Sequence, residues 1–369
     1  MIFYTFKMNH FKIVMKKLTL LLAVWVLAVS AAVAQDFRVK GLCIGAPAPD
    51  DLDDFVSFID NELASAGVNT LVLMVNYGYD FKSQPELVAQ NPLKEPDVKK
   101  LVSVCRKHQI RLIPQINLLG HQSWHGSAGK LLEVYPEFDE TPRVELPKEY
   151  KWPNPDGLYC KSYCPLHPDV HRVVFALVDE IVAVFEADAF HAGMDEVFYL
   201  GHNQCPRCFG HDPAELFAGE VTLIRDHLQA NGKELWIWGD RLIDGKISGI
   251  GEWEGSFNNT HRAVDWIPKD VVICDWHYEQ AHPTSAIFAA KGLQTVTCPW
   301  NKSQVAVEQV AMLKGFLKNS SKAMQPRFAG MMQTVWGSAR RFMDSYRGKV
   351  EAGKEDQSAV CFRELVKIW

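Results

Sequence analysis

From residue 37 onward the sequence alternates short apolar runs with helix-length amphipathic segments, and this alternation restricts the possible folds more than any other feature of the chain. The runs are "RVKGLCIG" (38–45), "NTLVLMVNY" (69–77), "IRLIPQINLLG" (110–120), "AFHAGMDEVF" (189–198), "ELWIWGDRL" (234–242), "VVICDWHY" (271–278), "LQTVTCPWN" (293–301) and "RFAGMMQTVW" (327–336). Between them lie helical patterns such as "DLDDFVSFIDNELASAG", "EPDVKKLVSVCRKHQ", "VHRVVFALVDEIVAVFEA", "PAELFAGEVTLIRDHLQANG" and "SQVAVEQVAMLKGFLKNS", several opened by Asp, Pro or Ser and closed near Gly or Asn. Eight strands separated by helices or loops predict an α/β fold, a closed (β/α)8 TIM barrel. An open doubly wound sheet is the alternative, but no Gly-rich phosphate turn follows the first run.

Two connections are long and irregular: 121–170, rich in Pro, Tyr and Trp, and 241–270. In a barrel the first would lie over the C-terminal face, where active sites are built. With no linker, repeat or low-complexity tract, a single domain over 35–369 is expected. Residues 1–34 are read separately. "MKKLTLLLAVWVLAVSAAVAQ" from Met15 has two lysines, an apolar core and a small-x-small ending at Ala34, the layout of a secretory signal peptide, with Met15 as the true start and Gln35 as the mature N-terminus. Its removal deletes Lys7, Lys12, Lys16 and Lys17 and no acid, taking the formal charge from -5 to about -9. A mildly acidic, exported (periplasmic or secreted) protein is expected to bind no nucleic acid and to have no stable membrane insertion after cleavage.

Side chains alternate along a strand, so parity indicates what each strand end presents. In the fourth run His191, Gly193 and Asp195 share a face, and Glu196 falls on the first loop residue. Trp236, Trp238 and Asp240 share one in the fifth, Cys274, Trp276 and Tyr278 in the sixth, Cys298 and Trp300 in the seventh, and Thr334 and Trp336 in the eighth. His121 and Trp124 follow the third. A mouth ringed by tryptophans and carboxylates suits a sugar, whose C–H face stacks on an aromatic ring while its hydroxyls seek charged acceptors.

Most glycosidases use two opposed carboxyl groups. Here the seventh and eighth runs end in "CPWN" and "TVWGS" without an acid, Asp275 has the wrong parity, and Glu279 lies beyond the sixth strand. The adjacent acids Asp195 and Glu196 can still catalyse if the substrate brings its own nucleophile. A 2-acetamido group does so by attacking the anomeric carbon with its carbonyl oxygen.

At "HAGMDEVF" the sequence resembles glycoside hydrolase family 20, the β-N-acetylhexosaminidases, and "IPQINLLGHQS", "WIWGD" and "GMMQTVWGS" resemble the family's third, fifth and last strand ends. "DWHY" and "MDEVFYLG" look closest to the small stand-alone members, which lack an N-terminal accessory domain. The resemblance implies that Glu196 acts as general acid and then base, and that Asp195 orients the acetamido nitrogen. Tyr278 would hydrogen-bond the acetamido carbonyl, and Trp238, Trp276 and Trp336 would wall the sugar subsite. His121, Trp124, His191, Asp240 and Trp300 complete the expected substrate-binding set. The implied substrate is a carbohydrate with a terminal N-acetylhexosamine, and no cofactor is expected. The chain departs from the family pattern in having no Arg after the first strand, Ser at 338 in place of an acid, and Gln115 and Asn117 in place of third-strand acids.

Three other readings compete. His202, Cys205, Cys208 and His211 in "GHNQCPRCFGH" offer a structural metal site, against which a local disulfide is the simpler expectation for an exported chain. His121, Asp195, Glu196, Asp240 and His277 offer a catalytic metal cluster, giving a metal-dependent barrel hydrolase, although no HxH or HExxH pair supports it. A barrel that binds glycans without hydrolysis is the third, because fold alone does not fix function. Cys43, Cys274 and Cys298 lie inside apolar runs and are expected to be buried thiols.

Overall fold

Eight parallel strands close into a barrel in the order β1-β8-β7-β6-β5-β4-β3-β2. They are β1 (Val39–Gly45), β2 (Thr70–Met74), β3 (Arg111–Leu118), β4 (Ala189–Gly193), β5 (Glu234–Trp238), β6 (Val272–Trp276), β7 (Gln294–Cys298) and β8 (Phe328–Val335). The computed structural model describes residues 37–124, 126–146 and 160–369. The signal peptide expected at 1–34, the mature start at Gln35 and part of the 121–170 connection lie outside the described residues. No helix among the described residues is long and apolar enough to cross a membrane.

The barrel confirms the period-2 reading strand by strand. One apolar cluster fills the interior: Cys43, Val72, Ile113, Trp236, Trp238, Val272, Cys274, Trp276, Val296, Cys298 and Met332. The alternate residues Leu42, Leu71, Leu112, Phe190, Leu235 and Ile273 face outward into the layer between sheet and helices. The three interior cysteines are small enough to sit among three tryptophans, which is how a closed barrel accommodates unequal side chains at near-crystalline density. Every expected helix is present: α1 (Leu52–Phe58, continued by a π turn, Ile59–Leu63), α2 (Glu95–Lys107), α3 (Val170–Val184), α4 (Pro213–Gln229), α5 (Thr284–Ala290) and α6 (Ser303–Asn319), with α7 (Ala339–Tyr346) and α8 (Gln357–Leu365) closing the ring after β8. Between β5 and β6 the short turns Asp240–Leu242, Gly245–Ser248 and Thr260–Asp265 stand where a full helix would be, as the irregular pattern of 241–270 implied.

Two local irregularities lie where β3 meets β4. The register between Gln115↔His191 and Leu118↔Gly193 slips by one residue, a bulge on β3. Gly193 has φ 67°, and a Cβ there would lie 2.3 Å from Asn117 Oδ1, so only glycine fits.

A buried polar network ties β6 to its surroundings. Asp275 faces away from the interior, as its parity requires, and accepts hydrogen bonds from Thr284 Oγ1 (2.8 Å) and Ser285 Oγ (2.7 Å) of α5. His277 Nε2 lies 3.2 Å from Asp275 and its Nδ1 2.8 Å from Glu254. Burial opposes the imidazolium, but the Asp275 and Glu254 carboxylates outweigh it and raise His277 from 6.5 to about 9. A raised folded-state pKa contributes stability that is complete below the unfolded value and disappears as pH passes through the folded one. The wild-type melting temperature is therefore expected to fall between pH 6.5 and about 9, with that part of the fall absent in His277→Gln. Identical slopes for the two proteins in calorimetric scans across this window would refute the assignment.

Candidate active site

The paired acids lie just beyond the end of β4, on a segment whose backbone is left-handed at Gly193, Met194 (φ 66°) and Glu196 (φ 51°). In an extended strand neighbours point to opposite faces. The left-handed residues break that rule, and both carboxylates reach the same group. His121 Nε2 lies 3.0 Å from Asp195 Oδ2 and 3.2 Å from Glu196 Oε2. His121 is itself left-handed (φ 51°) at the exit of β3, where a Cβ on Gly120 would lie 2.2 Å from the Asp195 carbonyl oxygen. Non-glycine residues at positive φ cost of order 1–3 kcal/mol each and persist only where their surroundings hold them.

Burial works against a charged His121, yet Asp195, Cys160 and Glu196 outweigh it and hold its pKa well above 6.5. The imidazole therefore stands between the two acids. Its Nδ1 lies 3.3 Å from Cys160 Sγ, and that sulfur is 3.6 Å from Glu196 Oε2. Trp124 stacks on the His121 ring at 5.8 Å with half of its surface exposed. Asp195 is buried, and its Oδ1 has no hydrogen-bond partner within the protein.

Aromatic rings wall the space beside these acids. Trp238 and Trp336 have centroids 5.7 Å apart, Trp276 and Tyr278 4.9 Å, and Tyr278 and Trp300 5.3 Å. Trp336 Nε1 donates to Tyr278 Oη (2.9 Å), and Thr334 Oγ1 donates to the same oxygen at 3.3 Å. Burial pushes the Tyr278 phenol well above its usual range, so it remains a neutral O–H donor. The indole Nε1 atoms of Trp238 and Trp300 are buried without partners. Unpaired buried donors and acceptors are uncommon in folded proteins, and three of them belong to residues of this site.

Two of the expected substrate contacts are engaged by hydrogen bonds within the protein. Asp240 lies inward as parity required, but Oδ2 accepts from the Glu196 backbone N–H (2.9 Å) and Arg241 Nε (2.7 Å), while Oδ1 accepts from Trp276 Nε1 (3.3 Å). Burial raises Asp240 and Arg241 lowers it, for a net value of about 6. His191 Nδ1 accepts the Gly193 N–H (3.0 Å), and its ring packs on Trp238 at 4.5 Å. Both side chains brace the site from below.

Sequence reasoning missed three contributors. Arg241 Nη2 donates to the carbonyls of Glu252, Trp253 and Gly255, fastening the loop that carries Glu254. Glu254 Oε1 accepts the Tyr278 N–H (3.2 Å) and so sets the position of the phenol. Cys160 approaches the acids from the 121–170 connection. The "GEWEG" loop put an acid beside a Trp in a long irregular connection, a signal that could have found Glu254, whereas no local pattern marks Cys160.

The five-residue catalytic metal cluster is not assembled. His121 lies with Cys160 and Glu196, whereas His277 lies with Glu254 and His282. The set His202, Cys205, Cys208 and His211 is also corrected: the two cysteines gather with Cys164 and Glu140. His211 is exposed just before the Asp212 cap of α4, and His202 Nδ1 faces the Gln204 N–H (3.4 Å). Ser338, where the family pattern has an acid, caps α7 by accepting the Arg341 N–H (3.2 Å). A cavity of about 420 Å³ at the opposite end of the barrel, lined by Arg111, Glu234 and Trp236, is crossed by an Arg111–Glu234 ion pair (2.8 Å). It lies at the strand N-termini, the face that serves stability.

A parallel barrel with adjacent carboxylates and an aromatic cage at its C-terminal mouth has the layout of a barrel glycosidase. The family model described as "Glycosyl hydrolase family 20, catalytic domain" matches residues 68–342, and the chain belongs to that family. It is similar to a lacto-N-biosidase of Bifidobacterium bifidum (23% identity, over 59% of this chain and 19% of that protein). It is also similar to a beta-hexosaminidase of Akkermansia muciniphila (28% identity, over 30% of this chain and 21% of that protein). The matches thus span about a fifth of each relative's length. A chitobiase of Flavobacterium johnsoniae shares the fold, with a TM-score of 0.60 at 17% identity over 90% of this chain and 48% of that one.

Removing the Asp240 carboxylate leaves the buried Arg241 guanidinium without its counter-charge, a loss of about 3–5 kcal/mol for pairs of this kind. Asp240→Ala is expected to lower unfolding free energy by that amount in urea titrations, and to lower kcat because the Glu196 backbone loses its anchor. Unchanged stability would show that the pair is not the brace described.

Proposed function

We propose that the protein is an exported β-N-acetylhexosaminidase that cleaves terminal N-acetylhexosamine from carbohydrates by substrate-assisted, retaining hydrolysis. The observation that supports this reading is the pair of adjacent carboxylates, Asp195 with its buried, unpartnered Oδ1 and Glu196, at the barrel mouth. An amide N–H is the ligand group that such an oxygen lacks.

In the proposed reaction Glu196 protonates the glycosidic oxygen as the bond to the anomeric carbon breaks. The acetamido carbonyl oxygen attacks that carbon from the other face, Asp195 accepts the acetamido N–H, and the Tyr278 O–H holds the carbonyl. Glu196 then removes a proton from water as it opens the cyclic intermediate, so the configuration is retained. A protein nucleophile finds no support among the described residues. Asp240 and Glu254 are engaged as braces, Asp275 faces away, and Glu279 is exposed and paired with Lys302 (2.6 Å). Export rests on the signal-peptide pattern of residues 1–34.

The test compares an aryl β-N-acetylglucosaminide with the corresponding 2-hydroxy glucoside. Cleavage of the acetamido substrate alone is expected, with kcat reduced at least 100-fold in Asp195→Asn, in line with the loss of a transition-state stabilising group. Glu196→Gln should lose most turnover on substrates with poor leaving groups and less on activated aryl glycosides. Equal cleavage of both sugars would reveal a protein nucleophile, and binding without cleavage would make this a glycan-binding barrel.

A further inference from the structure

The loops that follow β3 and β4 meet in a buried cluster remote from sugar chemistry. Glu140 and Cys164 come from the first loop and Cys205 and Cys208 from the second, and all four are buried, with exposures of 0%, 1%, 1% and 0%. One ligand atom from each lies within 4.8 Å of all the others. Cys164 Sγ is 3.3 Å from both Cys205 Sγ and Cys208 Sγ. We propose that Glu140, Cys164, Cys205 and Cys208 form a structural zinc site that fastens the β3 loop to the β4 loop.

The donor set is that of zinc. Three soft sulfurs and one carboxylate oxygen suit a tetrahedral zinc ion, whereas calcium and magnesium require an all-oxygen shell. Zn–S bonds of about 2.3 Å place the sulfurs of a tetrahedron roughly 3.8 Å apart, so the cluster needs to expand by only about half an ångström. Four protein ligands leave no open position, the mark of a structural rather than a catalytic ion.

A disulfide fits less well. Cys164 is equidistant from two partners, so any one bridge leaves the third thiol buried. It also leaves Glu140 Oε2, which is buried without a hydrogen-bond partner and belongs to the carboxylate facing the sulfurs. The outer contacts resemble those that orient metal ligands. Glu140 Oε1 accepts the His202 N–H (3.1 Å), fixing the carboxylate, and the Cys208 N–H points at Cys205 Sγ (3.4 Å) across the CxxC turn. Such donation stabilises a thiolate.

The site's value to the fold lies in where Cys164 sits, four residues after the Cys160 that touches His121 and Glu196. The segment between them is held to the β3 exit by Tyr163 N–H to Leu119 O (3.0 Å) and Lys161 O from Gln122 N–H (2.9 Å). A metal clamp at Cys164 would fix the outer end of the same segment.

The experiment uses the full chain purified without added metal or chelator. Elemental analysis is expected to find about one zinc per chain, and thiol titration after denaturation in chelator should count all nine cysteines. Cys208→Ser should lose the zinc and His282→Ala should keep it. If Cys208→Ser does not fold, cobalt(II) added to metal-stripped wild type should give the thiolate-to-metal charge-transfer absorption and intense visible bands of a tetrahedral sulfur site. Seven titratable thiols without zinc would establish a disulfide and overturn the proposal. Nine thiols with no zinc uptake from a zinc salt under reducing conditions would also overturn it, as would zinc retained in Cys208→Ser or a cobalt spectrum without thiolate bands.

Discussion

The site depends on one close approach, the passage of the β3 exit against the β4 exit. Gly120 lies against the Asp195 carbonyl and Gly193 against Asn117, and neither position has room for a Cβ. That contact brings the His121 imidazole between two carboxylates which an extended strand would have pointed apart. Left-handed backbone at Leu119, His121, Gly193, Met194 and Glu196 is sustained by surrounding hydrogen bonds, among them the Glu196 N–H to Asp240 and the Gly193 N–H to His191. The strain is localised where two acidic groups face one imidazole.

Around this pair the barrel separates support from contact. Asp240, Arg241 and Glu254 are buried or half-buried and hydrogen-bond one another or the backbone, which fixes Glu196 and Tyr278. Asp195 Oδ1 and the indole N–H groups of Trp238 and Trp300 are buried with unused hydrogen-bonding capacity. The same economy governs the loops, since the β3 loop supplies both Cys160 near the acids and Cys164 in the distant sulfur cluster.

Much of this was legible in the sequence because the relevant signals are local. Eight apolar runs with helical spacers could close only in a few ways, and parity alone turned Trp236, Trp238, Cys274, Trp276 and Cys298 inward and Asp275 outward. The Asp195–Glu196 pair announced itself by lying at a strand end without an opposing acid. The weaker readings were those that needed a distance across the chain. Asp240 had the right parity, but the sequence did not show that its neighbour Arg241 folds back onto it. The histidines beside the CxxC turn looked like ligands by proximity in sequence, whereas the groups beside its sulfurs come from residues 140 and 164.

The sequence by itself determined the strands, their inward faces, the adjacent acids and the aromatic supply of the mouth, because alternation and adjacency are properties of neighbouring residues. Tertiary structure alone decided that His121 stands between the acids, that Cys160 approaches them, that Asp240 holds the Glu196 backbone and Arg241, and that Glu140 and Cys164 join Cys205 and Cys208. Those contacts exist only once the barrel has closed and stacked its C-terminal loops. Closure is set by the summed burial of the whole interior rather than by any short pattern.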